Sequence, residues 1–247
     1  MTDTGQASQH TIAGTVLTMP VRIRKAVQHT AMFSVDADAA QQLIDYSGLR
    51  VCRYRPGKAV VVLMLMHYVD GDLGQYYEYG TNVMVNPPGS TASGLGALGS
   101  AGAFIHHLPV DQAFTLEAGK TIWGYPKVMA DFAIREGRTL GFGVRVDGQL
   151  VVDMEFKPGV PIPSRFTSAE QVHPTYSYRD GILRETAGAM VLSGVRYRPG
   201  GVRLRLGDHP YAKDLASLGL PKRALVSSSA ENVAMTFADA QQISGAK

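Results

Sequence analysis

The chain has 247 residues, 45% hydrophobic and 18% charged, a balance that excludes intrinsic disorder and suits a globular protein. Lys and Arg number 24 against 21 Asp and Glu, a net charge of +3 with no basic block, so no nucleic-acid partner is implied. A single cysteine, Cys52, excludes an internal disulfide; with the polar residues 2–9 and a longest apolar run of only residues 59–66, it predicts a cytoplasmic chain without membrane association.

Frequent Gly (27) and Pro (13) favour turns and short strands over a helical bundle. Asp36 caps a predicted helix that runs to Tyr46, with Gly48 beyond its end. Residues 59–66 lack alternation and read as a strand covered on both faces. Residues 86–102, rich in Gly, Ser and Pro, read as a loop. Its Gly94-Leu95-Gly96-Ala97-Leu98-Gly99 has dinucleotide-motif spacing, but Gly102 and Pro109 follow too soon for the long helix that motif opens, so a loop or lid is the better reading.

Further along, residues 142–146 and 150–156 flank Asp147-Gly148, a hairpin signal. Residues 191–197 and 202–206 flank Arg198-Pro199-Gly200-Gly201 and read as a second hairpin, with Val202, Leu204 and Leu206 on its packed face. A last helix opens at Asp208 or His209, with Pro210 at its first position, and closes before Gly219 and Pro221. The pattern predicts an α+β protein, mainly antiparallel β, in one domain over residues 1–247 with a core at about 21–229.

Several polar residues invite a catalytic or metal reading. Adjacent His106 and His107 on a strand would point to opposite faces and could not share an ion. His67, at the end of an apolar run, reads as a core histidine, and Met64 and Met66 as core rather than cofactor contacts. Residues 227–229 are serines without the Gly-x-Ser-x-Gly turn of a hydrolase nucleophile.

The stretch Trp123-Gly124-Tyr125-Pro126-Lys127-Val128 stands apart. Composition alone makes Lys127 a surface lysine at a turn. A nucleophilic lysine must be neutral, and at an ordinary pKa of ~10.4 only about one in 2,500 is neutral at pH 7. Burial among Trp123, Tyr125 and Met129 would lower that pKa and turn Lys127 into a nucleophile.

Trp-Gly-Tyr-Pro-Lys resembles the active-site segment of the acetoacetate decarboxylase family. Met64-Leu65-Met66-His67, Gly74-Gln75-Tyr76-Tyr77-Glu78, Val202-Arg203-Leu204, Asp208-His209, Leu220-Pro221 and Val226-Ser227-Ser228-Ser229 follow in the family's order, so the likeness spans residues 21–229. It implies an acetoacetate decarboxylase-like β-barrel or cone with a few short peripheral helices, no cofactor or metal, a small keto-acid substrate and a homo-oligomer. It also implies roles. Lys127 forms an iminium with the substrate ketone, carbon dioxide leaves to give an enamine, and Glu78 orients the substrate or moves protons. Tyr76 shares Glu78's face on a strand, and Tyr125 and Trp123 complete the predicted pocket. Read without the likeness, Glu78 is an exposed strand carboxylate.

The chain departs from the family at three positions. The lysine that follows the nucleophile is Val128, so burial must do what a neighbouring ammonium would. A family arginine suited to the substrate carboxylate aligns with Ala26, and a glutamate with Val62. Arg24, two residues before Ala26, is the predicted substitute. Decarboxylation of a β-keto acid is the first expectation, aldol condensation with dehydration the alternative, and a non-catalytic small-molecule binder the third.

Overall fold

The computed structural model describes residues 7–167 and 169–243. A small hairpin of β1 (Gln9–Ile12) and β2 (Thr15–Thr18) precedes the long strand β3 (Val21–Asp36). The Asp36 carboxylate accepts from the N–H groups of Asp38 and Ala39 and caps α1 (Ala37–Ile44). A 3₁₀ turn at Asp45–Ser47 then ends at Gly48 in the left-handed region, as the sequence predicts. In β4 (Lys58–Gly71) every residue from 59 to 66 except Met64 is buried, so this strand is covered on both faces. β5 (Tyr76–Val85) and β6 (Gly102–Val110) flank the predicted loop, which contains a 3₁₀ turn at Leu95–Gly99. It leads into a strand, so its glycines present no helix N-terminus to a pyrophosphate.

After β6 comes a helix that the sequence reading passes over, α2 (Ala113–Ile122), capped by the Gln112 side chain accepting from Thr115 N–H. It is followed by β7 (Lys127–Met129), β8 (Asp131–Arg135), β9 (Leu140–Val146) and β10 (Gln149–Phe156). β9 and β10 are the predicted hairpin, with Asp147 and Gly148 both at positive φ. Two-residue strands β11 (Val160–Pro161) and β12 (Gln171–Val172) and the longer β13 (Thr175–Arg179) all pair with β14 (Ile182–Pro199). The chain ends in β15 (Val202–Leu206), α3 (Pro210–Ser217) and β16 (Val226–Gln242). His209, not Asp208, caps α3, its side chain accepting from Tyr211 N–H.

The second predicted hairpin does not form. β14 already pairs with β16 along one edge and with β11, β12 and β13 along the other, so β15 has no edge left to join. Gly200 and Gly201, at φ of 65° and 79°, instead turn the chain out of one sheet and into another, where β15 pairs with β10. The predicted faces of β15 hold: Leu204 is buried, Arg203 and Arg205 are exposed.

Two sheets result. The larger runs β14-β13-β6-β5-β4-β3-β16, and β16 pairs back onto β14, closing the path into a ring. The smaller has the order β15-β10-β9-β8. Alternation sorts β3, β4 and β5 into two faces. Phe33, Val61, Leu63 and Val83 face outward and share a core with Phe142, Val144 and Met154 of the smaller sheet. Met66, Tyr68 and Tyr76 face inward with Trp123 and Tyr125. The fold is thus α+β and mainly antiparallel, and the inward face of its ring encloses the site.

Candidate active site

Lys127 and Glu78 meet at the closed end of a cavity of about 450 Å³ inside the ring. Both are buried, at 3% and 5% exposure, so neither the surface-lysine nor the exposed-carboxylate reading applies. β6 separates their strands, with Leu108 paired to Lys127 and Val110 to Glu78. Lys127 Nζ lies 2.8 Å from Glu78 Oε2 and donates to Thr115 Oγ1 at 2.8 Å. Tyr68 donates to the other carboxylate oxygen, Oε1, at 2.9 Å. Tyr76 stacks on Tyr68 with ring centroids 4.2 Å apart, and its ring centroid is 5.2 Å from Lys127 Nζ. Burial and the adjacent Glu78 hold the Tyr68 and Tyr76 hydroxyls well above the ordinary tyrosine range, so Tyr68 stays a donor.

The residues before Lys127 fix its backbone. Trp123 is anchored at both ends, its Nε1 donating to Ala238 O at 2.8 Å and its carbonyl accepting from Ser177 at 2.6 Å. Tyr125, with its hydroxyl 3.2 Å from Thr175 Oγ1, stacks beside Trp123 and is pushed up to about 12 by burial. The Lys127 side chain then runs across α2 at Gly119, where an added Cβ would sit 2.6 Å from Lys127 Cδ and 2.7 Å from Cε. Only glycine leaves that path open.

The structure therefore brings Lys127, Glu78, Tyr76, Tyr125 and Trp123 together around one cavity. Arg24 is the exception and a correction. It is exposed, pairing with Asp70 at 2.6 Å and Asp72 at 2.7 Å on the outside of the ring. Irregular pairing between Ile23, Lys25 and Ala26 shifts the strand's phase, so Arg24 does not share the face of buried Ala26.

Thr115 and Tyr68 are site residues the sequence reading missed. Thr115 rides on the unrecognised α2. Tyr68 was legible in principle, two residues beyond Met66 on the same face and directly opposite Tyr76. Met66 is buried in the inward core with Met64 packed against it, as expected, and both also line the cavity. His67 lies within β4 rather than at its end, half-buried and stacked on Tyr77 at 4.2 Å. Ser228, one of the three serines, bonds Thr30 at 2.6 Å on the cavity wall.

His106 and His107 require a second correction. β6 has a bulge there, since Asn82 pairs with Ile105 and Thr81 with His107. The extra residue turns both imidazoles to the same side, with ring centroids 4.0 Å apart. Asp214 Oδ2 of α3 lies 3.4 Å from His106 Nε2 and 3.1 Å from His107 Nε2. The same phase shift returns Leu108 to the cavity wall that Ile105 also lines.

No curated protein matches the chain. Solved structures do. An acetoacetate decarboxylase from Legionella pneumophila superposes with a TM-score of 0.68 at 17% identity, covering 91% of this chain and 87% of that one. The enduracididine biosynthesis enzyme MppR, in complex with pyruvate, gives 0.61 at 18% identity, covering 92% of each chain. An acetoacetate decarboxylase-like enzyme from Sphingomonas wittichii RW1 gives 0.62 at 14% identity, covering 97% and 100%. These likenesses establish the fold, and the sequence model of the acetoacetate decarboxylase family matches residues 10–241. With nearly the whole chain inside that match, the protein belongs to the acetoacetate decarboxylase family.

Proposed function

We propose that the protein is a carbon–carbon lyase that decarboxylates a β-keto acid through a Schiff base on Lys127. The observation that carries this is the buried Lys127 amine, within hydrogen-bond reach of both Glu78 and Thr115 at the closed end of an apolar cavity. Glu78 takes the ammonium proton, and the freed lone pair attacks the substrate ketone. Loss of water from the carbinolamine gives an iminium. The bond to the carboxylate then breaks, its electron pair moves into the iminium to form a neutral enamine, and carbon dioxide leaves. Protonation of the enamine carbon, with Glu78 as the nearest carboxyl group, and hydrolysis of the new iminium release the ketone and restore the amine.

The likeness to MppR favours a second reading. That enzyme has also been solved with the condensation product of pyruvate and imidazole 4-carboxaldehyde. An aldolase-dehydratase would use the same lysine, with an aldehyde in place of the leaving carbon dioxide. Arg24, turned away from the cavity, leaves the substrate carboxylate without the arginine partner that the decarboxylase reading expects.

Borohydride added with acetoacetate or pyruvate tests the shared step, because hydride reduces the iminium to a stable secondary amine. The expected product is one adduct on Lys127 by mass spectrometry, absent from Lys127→Ala. Failure of every keto acid to leave an adduct would favour the non-catalytic binder. Carbon dioxide release from a β-keto acid identifies the decarboxylase, and an enone from pyruvate plus an aldehyde identifies the aldolase-dehydratase.

A further inference from the structure

The cavity above Lys127 is far larger than a four-carbon keto acid requires. At about 450 Å³ it falls in the range that encloses drug-sized ligands, roughly 300–1,000 Å³. Its closed end holds the reactive groups, with Lys127, Glu78, Tyr68 and Tyr76 all buried. Its other end reaches solvent beside Met32, 39% exposed, and the exposed His173.

Strand register gives the cavity a length. Glu78 pairs with Met66, Gly80 with Met64 and Asn82 with Val62, all on the inward face. The four residue steps from Glu78 to Asn82 rise about 13 Å at ~3.3 Å each. Gly80 puts no side chain into this space.

Chemistry gives it an occupant. Lys127 is the only lysine or arginine among the described residues that line the cavity, so no second fixed cation stands along a wall whose polar side chains are mainly amides and hydroxyls, among them Gln28, Thr30 and Asn82. Six of the chain's ten methionines line it: Met32, Met64, Met66, Met84, Met190 and Met235. Unbranched, polarisable side chains suit a flexible alkyl chain, because they repack around whichever conformer enters. An extended alkyl chain advances about 1.3 Å per carbon, so ~13 Å takes about ten carbons.

We infer that this space is an acyl-chain subsite and that the substrate is a 3-oxo acid with a linear apolar chain of about ten carbons beyond its ketone. The acid enters head first, its ketone reaching Lys127 and its chain lying along the methionine wall. The inference rests on the Schiff-base reading above and extends it to a substrate class.

Methyl ketones of increasing length, the products such acids would give, probe the subsite without requiring decarboxylation. The readout is the concentration that gives half-maximal borohydride trapping on Lys127. It is expected to fall about fourfold per added methylene, the partitioning of one buried CH₂, until the chain fills the subsite. The matching 3-oxo acids should show the same trend in kcat/KM. Val62→Trp, placed at the Asn82 level, should shorten the preferred chain by several carbons. Trapping that is equal for short and long ketones overturns the acyl-chain subsite and leaves the Schiff-base reading standing. No adduct on Lys127 at any length removes both.

Discussion

Lys127 Nζ and Glu78 Oε2 lie 2.8 Å apart although β6 separates their strands, so the contact spans two strand spacings, roughly 9.5 Å of backbone. Only long side chains bridge that gap. Removing one partner leaves the other buried without its counter-charge, at a cost of about 3–5 kcal/mol. Glu78→Leu and Lys127→Met should therefore each lower the urea midpoint markedly, and the double variant should recover most of the loss. Equal destabilisation by the double variant and the sum of the singles would show that the two charges do not interact. For turnover the pair behaves differently: Glu78→Gln should lower kcat by about 10²–10⁴-fold, the usual contribution of a positioned proton-transfer group.

Gly119 lets the lysine reach that position. A Cβ there would stand 2.6 Å from Lys127 Cδ, closer than packed carbons come. Gly119→Ala should push the lysine stem aside and cut borohydride trapping at least tenfold, since small misplacements of a reacting group carry penalties of that size and beyond. Trapping at the wild-type rate would mean the stem has room to move.

How much of this was legible in the sequence depended on whether a strand kept its period. β9–β10 was readable because Asp147-Gly148 sets both the turn and the register. Glu78 and Tyr76 were correctly put on one face because β5 is regular between them. Arg24 and the His106–His107 pair were misplaced for one reason. A bulge adds one residue and reverses inside and outside, and no residue type announces it. β15 was assigned to the wrong partner because a turn signal says that the chain reverses, not which sheet has a free edge. Thr115 was hidden because α2 opens on Gln112, outside the usual set of capping residues, and contains a glycine.

The placement of Arg24 changes what its removal should do. Its guanidinium is held by Asp70 and Asp72 in an exposed cluster remote from the cavity lining. Exposed pairs contribute little to stability and are screened by salt. Arg24→Ala should leave KM and kcat for the preferred keto acid within twofold of the parent. A tenfold rise in KM would mean that the arginine reaches substrate after all.

His29 predicts how the fold responds to acid. Its ring faces out of the ring of strands against Phe156, with centroids 5.7 Å apart, and its Nδ1 is buried with no hydrogen-bond partner among the described residues. Burial pushes the imidazole down from the ordinary 6.5 to about 4. Between those values the unfolded chain binds a proton that the folded chain refuses, so stability rises with pH across this window. The contribution is complete above pH 6.5 and lost as pH falls to about 4. It is on the order of 1–3 kcal/mol, or roughly 2–4 °C in Tm per kcal/mol for a chain of this size. His107, also held at about 4 by burial, adds to the same slope, so a single substitution removes only part of it. His29→Leu should shrink the difference in Tm between pH 6.5 and pH 4.5 by a few degrees. An unchanged difference would mean that His29 protonates in the folded state as readily as in the unfolded chain.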